Sequence, residues 1–387
     1  MSPQSQSPIR VMRIIARMNV GGPAVQVAGL MRGLKLQDFD HRLYTGFCAS
    51  DEADYLDSVA TDINAYRIDG LGRRVNFRGD VKALLSLVKE IRDFKPNVIH
   101  THTAKAGAIG RIASLVSMQK SIRIHTFHGH LLNGYFGSFK RLLVIIIERL
   151  LALTTHQLLA VGDKVRQDLL EARVGKKDKF GLMPPGLEIS ILPQKTESKE
   201  FYALNNDRLQ CAFIGRVTQI KRPDRFLDVV SEIKKRQVKL DFFIAGDGEL
   251  LETCRKRIAA EELPVSVLGW QSNIEKVLSA ADIVVLTSDN EGTPLSLIQA
   301  GMAGLPVVST SVGSVPEVVL NNETGIITEL DVQQLADALE NLANDPELRT
   351  HLGHAAQKFT LANFGIQRLT HDHEELYKKL LSNQAKF

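Results

Sequence analysis

Three groups of residues in this 387-residue chain have the types and spacing that chemistry on an anionic substrate needs. Gly215-Arg216 is followed after four residues by Lys221, directly downstream of the apolar run 209–214. A guanidinium fork and an ammonium point charge at the mouth of a strand suit a diphosphate, because both favour phosphate oxygens. Two solvated cations at a strand end would satisfy the same fragment. Glu291 stands in Ser288-Asp289-Asn290-Glu291-Gly292-Thr293-Pro294-Leu295, a polar loop just ahead of a helical stretch. A carboxylate there can accept hydrogen bonds from sugar hydroxyls, while the unused amides of the helix's first turn can hold phosphate. Gly21-Gly22-Pro23 forms a strand-to-helix turn, where glycine permits close backbone approach and a helix amino-terminus favours an anion. An ordinary tight turn would read the same way, and the Gly-x-Gly-x-x-Gly dinucleotide pattern is absent there.

Histidine is concentrated as well. His100, His102, His125, His128 and His130 crowd two strand ends. Their alternation along strands is expected to keep them from converging on one ion, and no Asp-x-Asp pair suits a divalent metal, so neither metal nor cofactor is predicted. His128 reads equally as a hydrogen-bonded core residue at a strand end.

The elements that must position these groups alternate short strands with helices, the pattern of βαβ units around a parallel sheet. Strands are expected at 13–16, 97–100 and 123–127, with helices at 24–34 and 104–117 between them. The pattern restarts with strands at 209–214, 240–245, 282–286 and 305–310 and helices at 223–236 and 294–303. This predicts an α/β chain of two domains. Residues 1–9 form a disordered leader, 10–190 an amino-terminal domain, 191–207 a linker, 208–364 a second domain, and 365–387 a helix packing back on the first. Ligands of such folds bind outside the carboxyl ends of the strands, so a cleft between the two domains is the expected site.

Composition sets the outer limits. Apolar residues make up 44% and charged residues 24%, ordinary for a globular protein. Cys48, Cys211 and Cys254 are odd in number and far apart, which reads as reduced thiols and not a disulfide framework or a zinc site. No apolar run approaches the roughly 20 residues of a membrane span, and the expected location is cytoplasmic. Residues 1–190 carry 27 Lys/Arg against 17 Asp/Glu, while 191–387 carry 21 against 27. A basic half suits an anionic partner or is an uneven solvated surface; no motif supports nucleic acid. Tyr135 and Phe136, followed by Lys140, Arg141 and an apolar helix, have the make-up of an interfacial contact on the inner face of a membrane. A buried helix with a solvated start is the alternative. Lys105 is a further candidate contact for an acceptor.

The run Glu291-Gly292-Thr293-Pro294-Leu295-Ser296-Leu297-Ile298, together with Gly215-Arg216-x4-Lys221, resembles the carboxyl-terminal signature of glycosyltransferase family 4. These are retaining enzymes of GT-B architecture, two Rossmann-like domains whose parallel sheets face a central cleft. Gly21-Gly22, His100 to Gly107, Thr126 to Gly129, Ala245 to Gly248 and Gly313-x-x-Pro316-Glu317 agree, so the resemblance runs from Arg13 to about Phe364. It implies that Arg216 and Lys221 hold the donor diphosphate, with Gly215 and Gly246 beside it. Glu291 and the amides from Gly292 to Leu295 would hold the donor sugar, and His128 would lie near the reacting carbon. Gly21 and Gly22 would line the donor and acceptor site. The family carries a second carboxylate, on the nucleotide ribose, where this chain has Gln299. A Gln keeps one carbonyl acceptor and loses the charge.

The implied activity is metal-independent, retaining transfer of a hexose or N-acetylhexosamine from a nucleotide-sugar, first of all a UDP-sugar. The implied acceptor is a glycolipid, a polyprenyl-linked sugar or a polysaccharide precursor in cell-surface glycan synthesis. A catalytically weak nucleotide-sugar-binding protein and a sugar-nucleotide 2-epimerase of the same architecture are the rival expectations.

Overall fold

The structure, a computed structural model, describes residues 7–50, 52–129 and 138–384, without the side chains of residues 138–140. The chain forms two compact units, Met1–Leu187 with Ile366–Phe387, and Glu188–Gly365.

The first unit is built on seven parallel strands: β1 (Ile9–Ile15), β2 (Phe39–Thr45), β3 (Ala65–Arg67), β4 (Val98–His102), β5 (Ile122–Phe127), β6 (Gln157–Ala160) and β7 (Phe180–Leu182). Their order is β3-β2-β1-β4-β5-β6-β7, so the chain winds outward from β1 and then returns to β1's other side with β4. Val11 to Ile15 in β1 are all buried, as a strand covered by helices on both faces requires. The helix Phe77–Phe94 buries Ala83, Leu87, Val88, Ile91 and Phe94, a stripe at helical spacing. The helix Ile366–Gln384 supplies Leu369 and Tyr377 to the same core as Val11, Leu30 and Val98. It lies so close to the helix Gly22–Gly33 that a Cβ on Gly33 would sit 2.2 Å from Thr370 Cγ2. The carboxyl-terminal helix is therefore part of the first unit's core.

The second unit has six parallel strands: β8 (Leu209–Ile214), β9 (Leu240–Ala245), β10 (Val265–Gly269), β11 (Ile283–Leu286), β12 (Val307–Thr310) and β13 (Ile326–Thr328). They are ordered β10-β9-β8-β11-β12-β13, with the reversal of winding between β8 and β11. Phe213, Phe226 and Phe242 interlock in its core.

Two expected boundaries move. Strand β1 begins at Ile9, paired with Phe39, so the leader does not extend to residue 9. The segment 191–207 is not a structureless linker, because the helix Lys195–Phe201 lies inside it and belongs to the second unit. Its polar composition misleads because its lysines are drawn to the buried end of β11. Lys195 Nζ lies 2.7 Å from Asp282, and buried Lys199 donates to the Arg208 carbonyl at 2.9 Å.

Candidate functional site

Each sheet has one point where the winding reverses, and adjacent loops there leave the sheet in opposite directions and open a crevice. In the second unit that point lies between β8 and β11, the two strands whose following loops carry Lys221 and Glu291. The two side chains meet across it, Lys221 Nζ to Glu291 Oε1 at 2.5 Å. Ser288 Oγ donates to the same oxygen at 2.5 Å, and the carboxylate is buried. The loops are stitched together behind this pair. Thr287 Oγ1 donates to the Lys221 and Arg222 carbonyls at 3.1 and 3.0 Å, and the Asp289 amide donates to Ile220 at 2.9 Å. Buried Arg225 donates to the Thr287 carbonyl at 2.7 Å.

Arg222 takes a left-handed φ of 52° directly after Lys221, a conformation that costs a non-glycine residue on the order of 1 kcal/mol. Asp224 at 2.7 Å and Asp289 at 3.1 Å hold its guanidinium there. Arg216 is exposed, and among the described residues its guanidinium has no partner.

The glycines lie where the loops come closest. A Cβ on Gly246 would stand 1.8 Å from the Gly215 carbonyl, and one on Gly313 1.8 Å from the Glu291 carbonyl. Gly313 also has φ 53°, which glycine adopts without penalty. Gly292 and Thr293 are half-buried and Pro294 buried ahead of the helix Leu295–Met302. Pro294 accepts from the Leu297 and Ile298 amides, which leaves the Leu295 and Ser296 amides outside the intrahelical ladder. Gln299 is half-buried one turn further along the helix, its side-chain amide unpaired among the described residues.

In the first unit the winding reverses between β1 and β4. Gly21 and Gly22 follow β1 and open the helix Gly22–Gly33; its second residue, Pro23, offers no amide. Thr103 follows β4 at φ 65° and ψ 155°, strained for a β-branched residue, and its Oγ1 accepts from the Ala16 amide at 3.3 Å. His128 lies just past β5, with Nε2 at 2.9 Å from His102 Nδ1. Burial pushes its pKa down to about 4, so the ring is neutral near pH 7.

Two expectations need correcting. Lys105 is not a free acceptor contact. Its Nζ is 2.7 Å from Asp80 and donates to the Gly70 and Arg74 carbonyls at 2.8 and 2.6 Å, which commits it to holding the 70–74 loop. The histidines do not diverge either, because residues two apart share a strand face. His100 stacks on His102 at 4.4 Å, and His128 joins them, yet among the described residues no group of three His, Cys, Asp or Glu is arranged to hold a metal ion. Of the interfacial candidates, Tyr135 and Phe136 and the side chain of Lys140 lie outside the described residues, while Arg141 is exposed.

Sequence reasoning had no role for Ser288, Asp289, Arg222 or Arg225, although two of them stand inside the Glu291 motif. A Ser three residues ahead of a motif Glu was the available signal.

Two doubly wound units, each with a polar pair or glycine turn at its switch point, have the GT-B architecture. The family comparisons agree. The glycosyltransferase family 4 model matches residues 20–190 and the glycosyl transferases group 1 model matches residues 194–359. The chain belongs to glycosyltransferase family 4.

Among its relatives is the Escherichia coli UDP-Gal:alpha-D-GlcNAc-diphosphoundecaprenol alpha-1,3-galactosyltransferase, 26% identical and aligned over 86% of this chain and 87% of that one. The Staphylococcus aureus capsular polysaccharide biosynthesis glycosyltransferase CapM is 24% identical over 80% and 83%. The Anabaena protein HepE, solved in complex with UDP-glucose, superimposes with a TM-score of 0.79 at 16% identity, covering 97% of this chain and all of that one.

Proposed function

We propose that the protein is a retaining, metal-independent glycosyltransferase that moves a hexose or N-acetylhexosamine from a UDP-sugar to a lipid-linked or polysaccharide-precursor acceptor. The observation that carries this is the Lys221–Glu291 pair at the β8/β11 switch point, with the exposed Arg216 on the same loop. Arg216 and Lys221 supply fixed positive charge for a diphosphate, and Glu291, oriented by Ser288, supplies an acceptor for sugar hydroxyls.

In the reaction, the acceptor hydroxyl oxygen bonds to the anomeric carbon on the face from which the carbon–oxygen bond to the diphosphate breaks. The hydroxyl proton passes to the departing phosphate oxygen. No covalent sugar–enzyme intermediate forms, so no second carboxylate nucleophile is needed. Arg216, Lys221 and the unused helix amides take up the charge that develops on the leaving group, the part a divalent metal plays elsewhere. His128, neutral and beside β5, is assigned to the reacting sugar. The names of the E. coli and S. aureus relatives point to a lipid-linked or capsule-type acceptor.

The acceptor's lipid character motivates a place for the first unit at an anionic bilayer surface. The helix Ser138–Thr154 exposes Leu142, Leu143, Ile146, Leu150 and Leu153, flanked by Arg141 and Arg149 in the basic half of the chain.

A thermal-shift screen of UDP, GDP and their sugars, followed by UDP release and product anomer analysis, tests the reading. Stabilisation by a UDP-sugar and an α-linked product from an α-linked donor are expected, lost in Glu291→Ala. An inverted product or strict metal dependence would overturn the mechanism.

A further inference from the structure

A buried row of polar side chains in the first unit takes no part in the chemistry above. Tyr377, on the carboxyl-terminal helix, is fully buried; its hydroxyl accepts from Arg13 Nη1 at 2.9 Å and lies 2.7 Å from His100 Nδ1. Arginine has donors only, so a tyrosine proton aimed at the imidazole is the arrangement that leaves no buried O–H unpaired. His100 Nδ1 is then an acceptor, and its proton sits on Nε2, which donates to Thr126 Oγ1 at 2.7 Å. The arrangement that strands no proton thus selects one tautomer.

Ring stacking passes on position, though not proton placement. His100 stacks on His102 at 4.4 Å between centroids and 24° between planes, and His373 stacks on His100 at 5.6 Å. The buried Nε2 of His102 has no partner among the described residues. An orphaned N–H is rarer in proteins than an orphaned acceptor, so the His102 proton belongs on Nδ1, donated to His128 Nε2 at 2.9 Å. His128 therefore keeps its own proton on Nδ1. Arg13 is completely buried with no carboxylate partner among the described residues, and its Nε and Nη2 are unsatisfied. An uncompensated buried cation beside these rings, together with their burial, disfavours a second positive charge on any of them.

We propose that Arg13 and Tyr377 are positioning residues for His128. By holding His100, on which His102 stacks, they fix where His102 meets His128 Nε2, and that contact leaves His128 its proton on Nδ1, so that it offers the sugar a donor. The proposal rests on the assignment of His128 to the reacting sugar, but its main test does not need turnover.

Full-length protein carrying 15N-histidine is examined by long-range 1H–15N correlation at pH 7, with His100 and His128 identified by the signals lost in His100→Asn and His128→Gln. The wild type is expected to show His128 as the Nδ1–H form and His100 as the Nε2–H form. In Tyr377→Phe both rings should become tautomer mixtures. On whichever of UDP-glucose, UDP-galactose or their N-acetylated forms the wild type turns over fastest, kcat should fall roughly tenfold with KM within about twofold. If Tyr377→Phe does not fold, Arg13→Met removes the same constraint and should release the His100 tautomer.

Leu381→Ala, on the same helix and packed against its core, lowers Tm without touching the row. If it mixes the tautomers as much as Tyr377→Phe does, or if neither row variant mixes them, the proposal is overturned. Ordered tautomers in a protein with no transferase activity would instead count against the functional assignment alone.

Discussion

Lys221 and Glu291 stand 70 residues apart and share one short hydrogen bond inside a mostly buried site. Truncating one removes the other's ion-pair partner from a mostly buried site, which costs more than the pair itself contributes. Lys221→Ala is expected to lower turnover about 100-fold through lost diphosphate stabilisation. It should also lower Tm, and Lys221→Ala/Glu291→Ala should recover part of that loss while turnover stays down. A double mutant less stable than either single would contradict the pairing.

Gln299 makes the opposite case. Its amide is unpaired among the described residues, so Gln299→Glu restores a charge where a ribose hydroxyl is expected. Donor KM should drop by about 5- to 30-fold, the equivalent of roughly 1–2 kcal/mol. Unchanged KM would mean that the position does not meet the nucleotide. These residues were readable in the sequence because they cluster within short motifs. Tyr377 and His373 were not, since they reach His100 across more than 270 residues and only the tertiary fold brings them there.

At the level of elements, the helix Ser138–Thr154 shows what pattern reading resolves. Its burial divides by face. Glu148 is buried and pairs with buried Arg111 of the helix Ala104–Ser117 at 2.7 Å, while Leu150 and Leu153 are largely exposed. Arg111 also donates to the Gly107 carbonyl at 2.7 Å, so this ion pair is the polar anchor between the two helices. Arg111→Met should cost about 3–5 kcal/mol in urea unfolding, and Arg111→Met/Glu148→Leu should regain most of it, because two apolar groups leave no stranded charge. If the double variant is as unstable as the single, the pair does more than satisfy itself.

On the other face, Leu150→Glu/Leu153→Glu should abolish sedimentation with phosphatidylglycerol vesicles at low salt while leaving UDP binding intact. Undiminished sedimentation would remove this helix from the membrane proposal. Hydrophobic runs such as 209–214 and 240–245 located β8 and β9, and Pro223 and the stripe behind it located a helix, since local periodicity suffices there. Three-residue strands such as β3, β7 and β13 carry too little pattern to be seen, and the 195–201 helix was hidden because its anchor, Asp282, lies far along the chain.

The two units differ as whole bodies in how they should meet acid. Six buried or half-buried histidines, His41, His100, His102, His125, His128 and His373, lie in the first unit with the more exposed His156, and burial holds all seven below the ordinary histidine pKa. His41 and His128 are lowered to about 4 and His373 to about 3. Arg13 adds to the effect on His41, His100, His102 and His373. Because the folded pKa is depressed, the unfolded chain binds protons first as pH falls. Stability is therefore fully present above pH ~6.5 and erodes below it, by about 1.4 kcal/mol per pH unit for each histidine, until that ring's own folded pKa is reached. The second unit contains only His351 and His354, both exposed on the helix Pro346–Phe364. Calorimetry between pH 7.5 and 5 should consequently show two transitions separating, with the first unit's Tm falling by roughly 10 °C or more and the second's moving much less. His41→Gln removes one of the six without touching the row beneath His128, and should flatten the first unit's slope by about one proton. If both transitions move in parallel, burial is not what keeps these rings neutral, and the tautomer argument for His128 loses its electrostatic support.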